Sequence, residues 1–158
     1  MIVYVLTALA VVAVFFGGTL FILDDWNDLT QSDLQAAMKK SGYTLSDAIV
    51  ANIDDARRDF QGRLSATGWA VDKELGQPVS IYVVLGQEFV LVATTKGARS
   101  DVTNALHLSA EQTKDVAFSG HTERPIDCKV LPHAPIVAVN RNKHLLKIVD
   151  GLRIPLCH

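Results

Sequence analysis

Residues Ile2 to Leu23 form an unbroken apolar run, with no charged side chain from Met1 onward. A bilayer hydrocarbon core about 30 Å thick takes about 20 apolar residues at 1.5 Å each, so the run predicts a single transmembrane helix over 1–23. Tyr4 and Trp26 would stand roughly 33 Å apart along a helix, which suits two rings seated at the two membrane interfaces. A cleaved secretory signal requires a basic leader, a shorter apolar core and a small-x-small cleavage site. None of these stands out, and an uncleaved anchor is expected.

Within the run, Ala10, Ala13 and Gly17 recur at spacings of three and four, with Gly18 alongside. Small residues on one face let another helix approach closely, which makes these four a candidate membrane helix-packing surface. Orientation has less to rest on. Positive charge near a span governs topology, but no Lys or Arg precedes the run and the first to follow are Lys39 and Lys40. The flank Asp24, Asp25, Asp28 and Asp33 gives no reason to hold the following chain in the cytoplasm. The expectation is a single-pass protein of the inner (cytoplasmic) membrane with a periplasmic C-terminal domain.

The residues after the anchor suffice for one domain with a buried core. Residues 24–60 carry eight acids and four bases, and residues 61–158 nine acids and eleven bases. A nucleic-acid binder concentrates basic charge on one face, so no nucleic acid is expected as partner. The bilayer and other membrane-protein subunits are.

Residues 24–60 read as a short helical stalk. Thr30 followed by Asp33 resembles a helix start, Leu34, Ala37 and Met38 give a thin apolar face, and Gly42 stops it. A second helix is expected from Leu45, Ile49, Ile53, Ala56 and Phe60, with Asp54 and Arg58 paired at i,i+4. At Gly62 the period changes to two, and 61–158 reads as a mainly-β antiparallel sandwich, immunoglobulin-like or a partly open barrel. Strands are expected over Arg63–Val71, Val79–Leu85, Phe89–Ala93, Val116–Gly120, Ile136–Val139, Leu145–Val149 and Leu152–Ile154. Gly86-Gln87 joins the second and third as a two-residue turn. Arg99–Leu106 and Ser109–Asp115 read as short polar connections, the latter with room for one or two helical turns.

Catalytic patterns are not evident. His107, His121, His133, His144 and His158 are scattered without an i,i+4 pair, and Cys157-His158 has no second ligand couple, so no metal and no cofactor are expected. Asp101, His107 and Ser109 lie close in sequence, whereas triad members normally come from separated elements. They read as loop residues. Cys128 and Cys157 permit one disulfide in an oxidising compartment, pinning the chain end to the sheet, and two unpaired thiols in a reducing one.

The stretch Gly68-Trp-Ala-Val-Asp72, followed by Gly76, Pro78-Val79, Arg99-Ser-Asp-Val102 and Phe118, resembles the small bacterial β-sandwich modules with a Gly-Trp-Ala-x-Asp signature that occur beside glycosyltransferase and other domains. The resemblance covers about 63–120. It implies a structural core role for Trp69 beneath the sheets and, for Asp101, a connection packed over an edge. This chain carries no glycosyltransferase, so a sugar-related role does not follow. The expected function is that of a non-enzymatic, single-span accessory or assembly subunit of a larger membrane complex. The alternative is a tethered envelope module that binds glycan or peptide through loops or an exposed edge strand.

Overall fold

The computed structural model describes residues 31–149 apart from Leu75. The expected span, with Ala10, Ala13, Gly17, Gly18, Tyr4 and Trp26, lies outside the described residues, as do the expected strand Leu152–Ile154 and Cys157. Among the described residues no helix is long and apolar enough to cross a membrane.

Helix α1 covers 31–41. Leu34 and Ala37 are buried on its apolar face with Met38 packed beside them. Gly42, at φ +70°, ends the helix, and the Tyr43 amide donates to the Met38 carbonyl at 3.0 Å, the bond that left-handed helix caps supply. Eight strands follow: β1 Thr44–Leu45, β2 Ile49–Arg58, β3 Leu64–Asp72, β4 Ser80–Leu85, β5 Glu88–Thr94, β6 Ala117–His121, β7 Ile136–Asn140 and β8 Leu145–Ile148. A seven-residue helix, α2 Ser100–Leu106, lies between β5 and β6, and one 3-10 turn, Leu131–His133, precedes β7.

The strands form two sheets. One has the order β1-β8-β7-β4-β5 and the other β2-β3-β6, with every pairing antiparallel except β1 with β8. The molecule is mainly β, and its two sheets stack as a sandwich. The hairpin β4–β5 turns through Gly86-Gln87, with Leu85 opposite Glu88.

The expected second helix is corrected, because residues 49–58 are strand β2, paired along its length with β3. The cause is a β-bulge: Ile53 faces Gly68 and Asp55 faces Thr67, leaving Asp54 with no opposite residue. An extra residue in one strand reverses which side chains face inward. Ile49 and Ile53 therefore face the core ahead of the bulge and Ala56 faces it afterwards. Their spacings of four and three imitate a helix. Phe60, assigned to the same stripe, stands 94 % exposed at the β2–β3 turn.

Between the sheets, Ile49, Leu64, Ile81, Val83 and Phe118 pack against small residues, Ala66, Ala70 and Ala138 among them. Gly68 is required here. A Cβ on it would stand 2.2 Å from the Asn52 carbonyl oxygen and 2.8 Å from Phe118 Cζ, so glycine allows the Phe118 ring to lie across β3. Gly68 and Ala70 thus point inward, and the alternation of a strand turns Trp69 outward.

Trp69, expected in a structural core role, belongs to a smaller apolar cluster outside the main one. It is half-buried on the outer face of the three-stranded sheet, packed with Val71, Val102, Val116 and Leu106. The helix α2, expected as a plain connection, supplies Val102 and Leu106 to this cluster. α1 covers the other sheet's outer face through Tyr82, Val84, Val137 and Val139.

Candidate functional site

The two sheets meet differently along their two sides. Between β5 and β6 the backbones touch: a Cβ on Gly120 would stand 2.4 Å from the Val92 carbonyl oxygen. The Lys96 amide donates to the Ala117 carbonyl at 2.6 Å, and the Val116 and Ala117 amides both donate to the Gly97 carbonyl. That side is closed.

The opposite side is bounded by β2 on one sheet and by β8 and the two-residue β1 on the other. The Lys73 amide donates to the Ala48 carbonyl at 3.0 Å. Since antiparallel ladders alternate, Val50 and Asn52 also bond to β3. Ile49, Ala51 and Ile53 then point their amides and carbonyls away from it, toward the open side. On β8, the Val149 amide donates to the Ile136 carbonyl and the Leu146 carbonyl accepts from Ser46. The same alternation turns the amide and carbonyl of Ile148 outward, two residues beyond the Leu45–Leu146 pair that ends the β1 ladder. Among the described residues these outward groups have no ladder partner.

Two adjoining cavities occupy this opening. One, about 350 Å³, is lined by Leu45, Ser46, Asp47, Lys147 and Ile148. The other, about 320 Å³, is shared by the β2 edge at Ile49, Val50 and Ala51 with Lys73, Lys147 and Ile148. Leu45 is 60 % exposed at the rim.

The polar part of the opening is an ion pair. Lys147 Nζ lies 2.6 Å from Asp47 Oδ1. The hydrogen bond from Lys147, followed by its charge, holds the Asp47 carboxyl below the usual carboxylate range against the opposing effect of burial, with a lesser contribution from the charge of Lys73. The arrangement offers a row of backbone donors and acceptors, apolar side walls and a charged rim of Asp47, Lys147 and Lys73. An extended polypeptide backbone is complementary to such a row.

The residues singled out in the sequence do not gather at this opening. Asp101 joins Arg99 and Asp54 in a charged cluster, with Arg99 Nη2 at 2.5 Å from Asp101 and Nη1 at 2.5 Å from Asp54. His107 caps α2 at φ +52°, and Ser109 bonds Gln112. His144 sits in the β7–β8 turn with its ring 5.8 Å from Tyr43. Among the described residues no group of His, Cys, Asp and Glu is arranged to hold a metal ion. Cys128 lies ahead of the 3-10 turn, and no described cysteine is a free thiol. The opening itself carries no sequence signature, because it is defined by backbone groups left over when strands far apart in the chain come together. No protein-family model, curated protein or solved structure matches this chain.

Proposed function

We propose that the chain is a membrane-anchored, non-enzymatic accessory subunit that holds an extended segment of a partner membrane protein between β2 and β8. The observation that carries this reading is the edge at Ile49, Ala51 and Ile53, which has no strand partner among the described residues and whose Ile49 and Ala51 share a cavity with Ile148. Strand addition there would extend either sheet, with backbone bonds supplying affinity and the pockets beside Leu45 and Ala51 selecting side chains. The apolar run 1–23 supports attachment to the bilayer, and the face Ala10, Ala13, Gly17 and Gly18 a second contact with the same complex. The domain sits on the periplasmic side in this reading.

In that compartment Cys128 and Cys157 form a bridge. Intact mass of the native chain after alkylation without reductant should then be unchanged. Two added alkyl groups would count against the bridge and the compartment together.

The function is tested by purifying the full-length chain in mild detergent and identifying what accompanies it. A stoichiometric membrane protein is expected, lost when Ala51→Pro blocks the edge. A chain that purifies alone, or one whose partner stays bound to the Ala51→Pro form, would defeat the proposal.

A further inference from the structure

Phe60 is the most exposed of the large apolar side chains among the described residues, and the turn that carries it is unusually well fastened. The Gly62 amide donates to the Asp59 carbonyl and the Asp59 amide to the Arg63 carbonyl, both at 2.9 Å. Asp59 Oδ1 accepts from the Gln61 and Arg63 amides, and Oδ2 from Arg63 Nε at 2.8 Å. Gly62, at φ +81°, takes the left-handed position that completes a three-residue hairpin connection. The turn is anchored to its neighbour as well, since the Ile126 amide donates to the Gly62 carbonyl at 2.9 Å and Arg58 Nε donates to the Ile126 carbonyl. A phenyl ring held this firmly in water is costly to expose and ready to bind.

We infer that this end of the domain rests on the bilayer, with Phe60 inserted at the boundary between headgroups and acyl chains. The inference rests on reading Ile2–Leu23 as a membrane span. If the span ends at Leu23, only residues 24–30 separate it from the described helix, a reach of about 25 Å at most. A domain tethered so closely lies against the membrane surface. Its contacts there add to the anchor without any further translational cost.

The surroundings of Phe60 suit a phospholipid surface. Arg57 and Arg58 precede it on β2, Arg124 and Lys129 lie exposed on the adjoining connection, and Val130 there is 45 % exposed. Long cationic side chains reach phosphates while their stems stay in the apolar layer. Asp55 pairs with Arg57, Asp59 adjoins the ring, and Glu123 and Asp127 share that connection, so the cations are largely balanced. The ring leads the contact, and zwitterionic lipid suffices.

The test reconstitutes the full-length chain into phosphatidylcholine vesicles with and without lipids brominated just below the headgroup, comparing the natural chain with Phe60→Trp. The exposed position lets the substitution leave the fold intact, which circular dichroism checks. The natural chain reports the span through quenching of Trp26, with half-buried Trp69 as a constant background. The indole introduced at position 60 should add blue-shifted emission, most of it quenched by bromine and little altered by salt. Added emission at the wavelength of water-exposed indole would overturn the inference while leaving the span intact. Blue-shifted emission that bromine does not quench would mean that protein covers the site, and would overturn it too. If Trp26 itself escapes quenching, the span reading fails and this inference falls with it.

Discussion

Asp72 ends β3 with its side chain turned between the sheets and no accessible surface. Its Oδ2 accepts from Asn140 Nδ2 at 2.7 Å and its Oδ1 from the Glu74 amide at 2.9 Å. Asn140 Oδ1 in turn accepts from the Asn142 and Lys143 amides, which shapes the β7–β8 turn. One carboxylate thus fastens the end of one sheet to a turn of the other. Removing one partner of a buried bond leaves the other unsatisfied, at a cost of about 2–3 kcal/mol when a charged group is involved. Chemical denaturation of the detergent-solubilised Asp72→Ala chain should show a loss of that size, and a loss below about 0.5 kcal/mol would mean the link is not structural. Asp59 makes a different prediction. Burial pushes its carboxyl up, but the Arg63 amide and guanidinium and the Gln61 amide more than reverse this, holding it below the ordinary aspartate value of 3.8. A carboxyl lowered in the folded state adds stability that is complete above its unfolded value and is lost as pH falls through the folded one. The melting temperature should therefore vary little with this group above about pH 5 and fall below about pH 4. Asp59→Asn should be less stable at neutral pH and show a shallower acid decline, measured by thermal melts across that range.

At the scale of elements, the bulge in β2 explains both what the sequence disclosed and what it hid. β3 and the hairpin β4–β5 keep enough alternation to be read directly, with Gly86-Gln87 marking the turn, and β7 is legible as a short continuous apolar run, buried throughout. α1 was legible from Leu34, Ala37 and Gly42. β2 was not, because Asp54 interrupts its alternation and gives Ile49, Ile53 and Ala56 helical spacing. The same residue explains α2, which is too short for periodicity to reveal. Asp54 Oδ2 receives Arg99 Nη1, while Asp101 receives the same guanidinium from the first turn of the helix. The hydrogen bonds from Asp101 and Asp54 hold the Arg99 guanidinium well above its usual value, so it stays charged at any pH where the protein folds. Arg99 thereby fastens the start of α2 to the bulge, over the cluster of Val71, Val102 and Val116. Arg99→Met should speed amide exchange across 100–106 and leave β4–β5 protection as it was. Uniform loss of protection would show that α2 is not a separately held element.

For the molecule, the consequence of one closed side and one side that is open among the described residues is a set of backbone groups that no local sequence pattern could announce. Asp47 and Lys147, the ion pair at the opening, lie 100 residues apart. The edge they border follows from ladder parity rather than from any motif. That parity can be tested with proline, which lacks the donor and is tolerated at a strand edge only where its missing amide faces away from the ladder. Ala51 turns its amide toward the opening, and its neighbours Val50 and Asn52 turn theirs toward β3. Ala51→Pro should therefore fold, with a melting temperature close to that of the natural chain, while placing a ring where an added strand would bond. Val50→Pro should remove a bond from the β2–β3 ladder and destabilise by about 1–3 kcal/mol, the cost of the acceptor left without its donor. Thermal melts of the two variants, which differ only in which of two adjacent residues is replaced, decide the matter. Equal destabilisation would mean that both edges of β2 are engaged, and the open side would lose its claim to receive a strand.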